Sequence, residues 1–227
     1  MKVAVIRFPG SNCDQDAFFA VKNDLCLTAE YVWHDDSSLA GYDAVFLPGG
    51  FSYGDYLRCG AMASQARIMA EVARFAEEGR PVIGACNGFQ VLCEARLLPG
   101  ALLLNAQQKF LCQNVFLRAE THRSIWTAGV DRILSIPIAH GEGRYIADED
   151  TLKMLEDNEQ IAFRYCSSTG EITDADNPNG STHAIAGVLN AKGNVIGLMP
   201  HPERASNPML GGTDGLKILQ ALQLVLR

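Results

Sequence analysis

The chain contains 227 residues, 48% of them hydrophobic, and carries a formal net charge of -7. This length supports one substantial core and is short for two ordinary domains, so we predict a single domain over residues 1–227. The acidic balance excludes long-range attraction to nucleic acid or anionic lipid, and the sequence shows neither a secretory leader nor about 18 consecutive apolar residues. We therefore expect a cytoplasmic protein that binds neither nucleic acid nor membranes.

Strand-like and helix-like segments alternate through the first half of the chain. In order, we predict a strand at 2–8, a helix at 14–24, strands at 29–33 and 43–47, a helix at 59–79, a strand at 81–85 and a helix at 87–96. Such alternation predicts an α/β fold in which helices connect the strands of a mostly parallel sheet.

The second half is richer in predicted strands. They are expected near 113–117, 133–140, 161–166, 184–189 and 195–199, before a helix at 213–226 capped by Thr213 and Asp214. Two stretches rich in Gly, Asn and Asp, at 141–150 and 169–183, are interpreted as surface loops because apolar segments resume after each of them.

The cysteines suggest neither disulfides nor zinc. Their number is odd, and no two are spaced as C-x-x-C, so we predict neither a disulfide framework nor a metal site. Most should be small core residues, and an exception should be reactive.

Cys86 lies where a buried strand is predicted to meet a helix. The segment GACNG at 84–88 has the G-x-nucleophile-x-G form of a nucleophile elbow, in which small residues flank a sharp turn. The N-terminus of the following helix favours negative charge and therefore the thiolate. A buried structural cysteine is the alternative for so short a match, so the interpretation needs a partner base.

The segment MPHPE at 199–203 supplies a candidate base. It follows an apolar run and should lie at the carboxyl end of a strand, where the sites of open α/β sheets gather. Pro202 is expected to hold 201–203 extended, which places His201 and Glu203 on one face. One ring nitrogen could then bond Glu203 while the other faces the thiol, as in a catalytic triad. A solvated His-Glu pair on a stiff surface loop is the alternative.

Attack on a carbonyl also needs donors for the developing oxyanion. The amide of Asn87, directly after the nucleophile, is one candidate. The loop after the strand at 43–47 contains adjacent glycines that let backbone approach a ligand, so we predict Gly50 and Phe51 as further donors. An ordinary Gly-rich turn is the alternative. Neither G-x-G-x-x-G nor G-x-x-x-x-G-K-[ST] occurs, so no nucleotide site is predicted.

Together, GACNGFQ at 84–90 and HPE at 201–203 resemble the class I, triad-type glutamine amidotransferase family. Further blocks are similar to the glutaminase subunits of phosphoribosylformylglycinamidine synthases within that family: FPGSNCDQD at 8–16, LPGGFSYGDYLRCG at 47–60, GACNGFQVLCE at 84–94, AHGEGR at 139–144, NPNGS at 177–181 and MPHPERA at 199–205. The blocks span nearly the whole chain. The resemblance implies a flavodoxin-like open sheet flanked by helices.

The resemblance also implies a reaction, the hydrolysis of L-glutamine to glutamate and ammonia through a thioester on Cys86. His201 would move the protons while Glu203 steadies the imidazolium. Gly50, Phe51 and Asn87 would line the oxyanion hole. Gln90 is assigned to the substrate side of the elbow helix on the resemblance, although it could simply bond backbone.

Conversion of formylglycinamide ribonucleotide to its amidine requires ATP to activate an oxygen. Because this chain has no phosphate-binding motif, the resemblance implies a large synthetase partner that uses ATP and Mg²⁺, joined by a small bridging subunit. No cofactor is expected in this chain.

Two other interpretations remain open at this point. A cysteine hydrolase of the related protease and deglycase group would also use an elbow cysteine, but those proteins usually place histidine directly after it, where this chain has Asn87. A catalytically idle regulatory subunit would keep the fold alone, and the three triad residues argue against it.

Overall fold

A computed structural model describes residues 1–224, and positions 225 and 226 of the predicted last helix lie outside them. The helices and strands are, in chain order, β1 (Lys2–Arg7), α1 (Asp14–Phe19), β2 (Thr28–Trp33), β3 (Ala44–Leu47), α2 (Ile68–Glu77), β4 (Val82–Ala85), α3 (Asn87–Glu94), β5 (Ala101–Leu103), β6 (Leu111–Ala119), β7 (Leu134–His140), β8 (Arg144–Ile146), α4 (Glu149–Asp157), β9 (Ile161–Cys166), β10 (Ile185–Leu189), β11 (Val195–Leu198), α5 (Leu216–Leu219) and α6 (Ala221–Leu224).

Within residues 1–224, the main sheet has nine strands in the order β2-β1-β3-β4-β11-β10-β9-β6-β7. The five strands from β2 to β11 run parallel, and each ladder from β11 to β7 is antiparallel. Strands β5 and β8 form a separate pair. The predicted α/β class, an open sheet flanked by helices, is confirmed.

Two apolar clusters lie on opposite faces of this sheet. In β1, Val3 and Val5 point into one cluster while Ala4 and Ile6 point into the other, as the period of two requires. Helices α1, α5 and α6 contribute to the first cluster, and α2, α3 and α4 contribute to the second. The sheet is therefore covered on both faces, and its inner parallel strands β3, β4 and β11 contain only apolar residues and glycine.

The edge strand β7 contacts the turns that follow β4 and β11. Its Pro137 carbonyl accepts a hydrogen bond of 2.9 Å from the backbone N–H of His201. Its Ala139 carbonyl oxygen lies 3.7 Å from Cys86 Sγ. The antiparallel extension, which the pattern of the first half could not predict, thus supplies one wall of the region around the predicted nucleophile.

Several predicted elements differ from those observed. The helix predicted at 59–79 is shorter, because Ala66 takes an extended conformation and α2 begins only at Ile68. The stretch 141–150, predicted as loop, contains β8 and the start of α4, which Asp148 caps by accepting from the Thr151 amide at 2.7 Å. Asp214 does not cap the last helix; its carboxylate accepts from the Ser135 amide at 2.8 Å.

No helix within residues 1–224 combines the length and the apolar character that crossing a bilayer would need.

Candidate active site

The turn at Cys86 has the geometry that the sequence predicted. Cys86 joins β4 to α3 with φ 49° and ψ -106°, a conformation that a residue with a side chain rarely adopts. A Cβ on Gly84 would lie 2.7 Å from the carbonyl carbon of Gly88, and one on Gly88 would overlap the Leu47 carbonyl oxygen. The small flanking residues are therefore a steric requirement of the turn.

His201 and Glu203 form a buried pair. The His201 Nδ1 atom lies 2.6 Å from Glu203 Oε1, and the side chains are 1% and 0% exposed. Pro202 begins a short 3₁₀ turn, so the expected extended backbone over 201–203 is wrong. The side chains of His201 and Glu203 nevertheless meet, with His201 directly before the turn and Glu203 inside it. The His201 Nε2 atom is the ring nitrogen left for the nearby thiols.

The imidazole faces Cys86 across Gly49. A Cβ on Gly49 would lie 2.7 Å from His201 Cε1 and 3.4 Å from Cys86 Cβ. Burial disfavours the charged imidazole, but the charges of Glu203 and Cys86 and hydrogen bonds from nearby thiols outweigh it, so the pKa of His201 is raised well above its ordinary value. The structure thus brings together the three residues predicted as a triad.

A second thiol, which the sequence reasoning missed, also contacts His201. Cys13 is 3% exposed, and burial raises its pKa, although a hydrogen bond with His201 opposes that effect. Arg204 Nη2 lies 3.1 Å from Cys13 Sγ, and Arg204 Nε bonds Asp16 at 2.9 Å. No spacing rule links position 13 to 201; the only signal was the block at 8–16.

Cys13, His201 and Glu203 each offer one potential ligand atom, and these atoms lie within 4.8 Å of one another. Sulfur, imidazole nitrogen and carboxylate oxygen are donors that zinc accepts. However, the Arg204 guanidinium places a positive charge 3.1 Å from the sulfur, and that charge opposes a cation. The arrangement suits proton transfer better than metal binding.

The loop predicted to supply oxyanion donors crosses above the elbow. Gly50 has φ +142°, and a Cβ there would lie 2.7 Å from the Asn12 amide nitrogen, so the position requires glycine. The Phe51 amide donates to the Gly10 carbonyl at 3.0 Å and is engaged in this structure. Asn87 is the first residue of α3, where backbone N–H groups have no hydrogen-bond partners within the helix.

A cavity opens directly onto Cys86. Gly50, Phe51 and Gln90 line it, so four of the predicted residues share one space. Two acidic side chains, Asp55 and Glu142, also face this cavity, and Leu104 and Phe110 form an exposed apolar rim. The space is thus acidic and apolar around a thiol, which suits a small substrate carrying an ammonium group.

His140 forms part of the same wall and is held in one tautomer. Asn105 Nδ2 donates to the carbonyls of Lys109 and His140, so Asn105 Oδ1 must face the His140 Nδ1 atom, 3.1 Å away, which carries the proton. Burial and the charge of His201 lower the pKa of His140 to about 4. His140 is therefore neutral at neutral pH, whereas the pKa of the neighbouring His201 is shifted in the opposite direction.

We expect Gly49→Ala to impair the site, because its Cβ would lie 2.7 Å from His201 Cε1 and must displace the ring. Displacements of about 1 Å cost roughly 100-fold in rate, and overpacking costs about 1–3 kcal/mol of stability. Glutaminase kinetics and urea unfolding measure both effects. Gly212→Ala is the control, since a Cβ there meets nothing within 4 Å; equal behaviour of the two variants would contradict the prediction.

The neutral state of His140 predicts an acid-dependent loss of stability. Its pKa rises from about 4 in the folded chain to an ordinary 6.5 on unfolding, so the unfolded chain binds the extra proton between these values. Between pH 7 and pH 5 the free energy of unfolding should fall by roughly 2 kcal/mol more in the parent than in His140→Gln. Urea titrations test this, with exposed His183→Gln as control; parallel curves for parent and His140→Gln would refute it.

Comparison with known proteins places this geometry in a family. Residues 1–212 match the model of the CobB/CobQ-like glutamine amidotransferase domain. A chain of the PurLQS structure from Thermotoga maritima is 43% identical, with a TM-score of 0.88 and coverage of 100% of this chain and 99% of that one.

Two more distant structures share the fold alone. A Thermoplasma acidophilum protein provisionally assigned as a GMP synthase subunit is 14% identical, with a TM-score of 0.64 and coverage of 99% and 93% of the two chains. A Thermotoga maritima glutamine amidotransferase is 16% identical, with a TM-score of 0.57 and coverage of 100% and 84%. The match over 1–212 carries the assignment: the chain belongs to the CobB/CobQ-like glutamine amidotransferase family.

Proposed function

We propose that this chain, acting as one glutamine amidotransferase domain over 1–227, is the glutaminase subunit of phosphoribosylformylglycinamidine synthase. The observation that carries the proposal is a cysteine elbow facing a buried His-Glu pair, in a chain 43% identical over its full length to a chain of PurLQS. The reaction supplies ammonia for converting formylglycinamide ribonucleotide to formylglycinamidine ribonucleotide in purine biosynthesis.

In the proposed mechanism, His201 takes and holds the proton of the Cys86 thiol, as its raised pKa favours, and the resulting thiolate attacks the carboxamide carbon of L-glutamine. The tetrahedral intermediate collapses to a thioester as His201 returns that proton to the leaving nitrogen, which departs as ammonia. His201 then activates a water, whose attack releases glutamate and regenerates the thiol. Glu203, bonded to the other ring nitrogen at 2.6 Å, stabilises each imidazolium state.

The developing oxyanion would lie between α3 and the glycine loop. Asn87 and Gly50 are the proposed amide donors, and Phe51 joins them only if its 3.0 Å bond to the Gly10 carbonyl is exchanged for one to substrate. Gln90 lines the cavity beside Cys86, on the substrate side of the elbow helix. Preorganised amides of this kind act most strongly where water is excluded.

The chemistry requires partners. Replacing the amide oxygen of the ribonucleotide by nitrogen needs ATP to activate that oxygen as a leaving group, so we propose a large synthetase subunit that uses ATP and Mg²⁺, and a small bridging subunit, both working with this chain in the cytoplasm. No cofactor is proposed for the glutaminase half-reaction, since thiol, imidazole and carboxylate supply all of its proton transfers. Ammonia must pass directly between subunits, because release to water would protonate it.

Replacing the nucleophile tests the division of labour. Cys86→Ser should abolish glutamine-dependent synthesis by the assembled complex, because the thioester cannot form, while added ammonium chloride still supports the synthetase step. The measurement is amidine formation with each nitrogen source, and Cys93→Ser, a buried cysteine about two helix turns further on, is the matched control. Equal loss with both nitrogen sources would refute the proposal.

Glu203→Gln should lower the pKa of His201, because the carboxylate charge that opposes the effect of burial is lost. Glutaminase kcat should fall by roughly 100- to 10,000-fold, the range for a positioned acid–base group. The pH dependence of Cys86 alkylation by iodoacetamide measures the ionisation of the thiol, which is coupled to that of the imidazole. An unshifted profile would show that Glu203 does not control the charge of His201.

A further inference from the structure

The side chain of Asn87 lies between the nucleophile elbow and the glycine loop. Asn87 is 2% exposed, and its Oδ1 accepts the backbone N–H of Ser52 at 3.2 Å. Its Nδ2 donates to Gln90 Oε1 at 2.8 Å. Gln90 Nε2 in turn donates to the Glu142 carbonyl at 2.6 Å. Two buried amides therefore form a continuous chain of hydrogen bonds from the turn between β7 and β8 to the loop that carries Gly50.

The backbone groups at the two ends of this chain of hydrogen bonds fix the orientation of both side-chain amides. The Ser52 N–H can only donate, so the Asn87 atom facing it must be oxygen, and the Asn87 nitrogen must face Gln90. The Glu142 carbonyl can only accept, so the Gln90 nitrogen must face it, which leaves the Gln90 oxygen for Asn87. Neither amide can flip without leaving a buried group unpaired.

This chain of hydrogen bonds also engages both polar atoms of Gln90, which a strong contact with substrate would need. Its oxygen and its nitrogen each have a partner within the protein, and the side chain is 5% exposed. Ser52 lies two residues after Gly50, and the Asn87 side chain arises from the same residue whose amide is the other proposed oxyanion donor. The Asn87 side chain therefore links the two segments that carry these donors.

We propose that the side chain of Asn87, braced by Gln90, is a positioning element that fixes the spacing of the two oxyanion donors. The inference rests on the proposed glutaminase reaction and deepens it, since neither side chain needs to touch the substrate. An oxyanion develops only in the transition state, so loosening its donors should lower kcat and leave KM nearly unchanged. Gln90 as a direct substrate contact would instead give a raised KM.

The test compares Asn87→Leu, Gln90→Met and the exposed control Asn158→Leu in the complex with the synthetase partners. Leu keeps the volume of Asn87 and removes both hydrogen bonds; Met interrupts the chain only at its second link. Removing one oxyanion donor costs roughly 100- to 1,000-fold, so misplacing one should lower kcat about 10- to 100-fold in Asn87→Leu and less in Gln90→Met. The Asn158→Leu variant should match the parent.

Alkylation of Cys86 by iodoacetamide separates positioning from general damage to the elbow. That displacement occurs at a saturated carbon and builds no oxyanion, so its rate should stay within about threefold of the parent in both variants. Alkylation that falls in parallel with kcat, unchanged kcat, or a raised KM with intact kcat in Gln90→Met would each overturn the inference. A parent complex without glutaminase activity would instead overturn the proposed function itself.

Discussion

The site depends on one steric constraint, the absence of a side chain at Gly49. Three segments that are distant in sequence converge there, and a Cβ would lie 2.7 Å from the ring of His201, 3.0 Å from Cys13 Sγ and 3.4 Å from Cys86 Cβ. Parallel strands make the convergence possible, because the carboxyl ends of β3, β4 and β11 lie side by side. Glycine then lets the loop after β3 pass close to both nucleophile and base without displacing either.

Electrostatics distinguish two histidines that share this interior. His201 and Glu203 form a buried pair, and the carboxylate charge and the neighbouring thiols raise the pKa of His201 although burial opposes the charged ring. A second buried cation beside it would be costly, and His140 avoids the cost by remaining neutral with its Nδ1 proton held by Asn105. Their environments shift the two pKa values in opposite directions, so that His201 can transfer protons while His140 only forms part of the cavity wall.

Different signals in the sequence predicted the candidate site and the fold around it. The elbow at 84–88 and the segment at 201–203 were recognisable because their turn chemistry is local, and glycine and proline mark it in the sequence. Cys13 was not, since its contact with His201 depends on the packing of α1 against the turn after β11. The extended backbone expected at 201–203 was wrong, because Pro202 is equally compatible with the first position of a 3₁₀ turn.

The second half was harder to predict for a related reason. Strands β6 to β10 pair antiparallel, so the order of elements carries no crossover pattern, and the loops between them look like plain polar turns. Yet Asn179, in the stretch predicted as a surface loop, is 0% exposed and donates to the Gly143 carbonyl at 2.8 Å. Asn105 accepts from the Gly143 amide at 3.0 Å on the other side.

These two asparagines explain why polar, turn-like sequence can form the wall of a cavity. Backbone groups that leave a sheet must be paired when they are buried, and a side-chain amide can satisfy a carbonyl and an N–H together. Asn179 and Asn105 do this for Gly143, directly after the Glu142 carbonyl that accepts from Gln90. The loops at 105–110 and 177–181 therefore hold in place the turn whose Glu142 carbonyl accepts from Gln90. Their polar composition reflects the pairing of buried backbone as much as exposure to solvent.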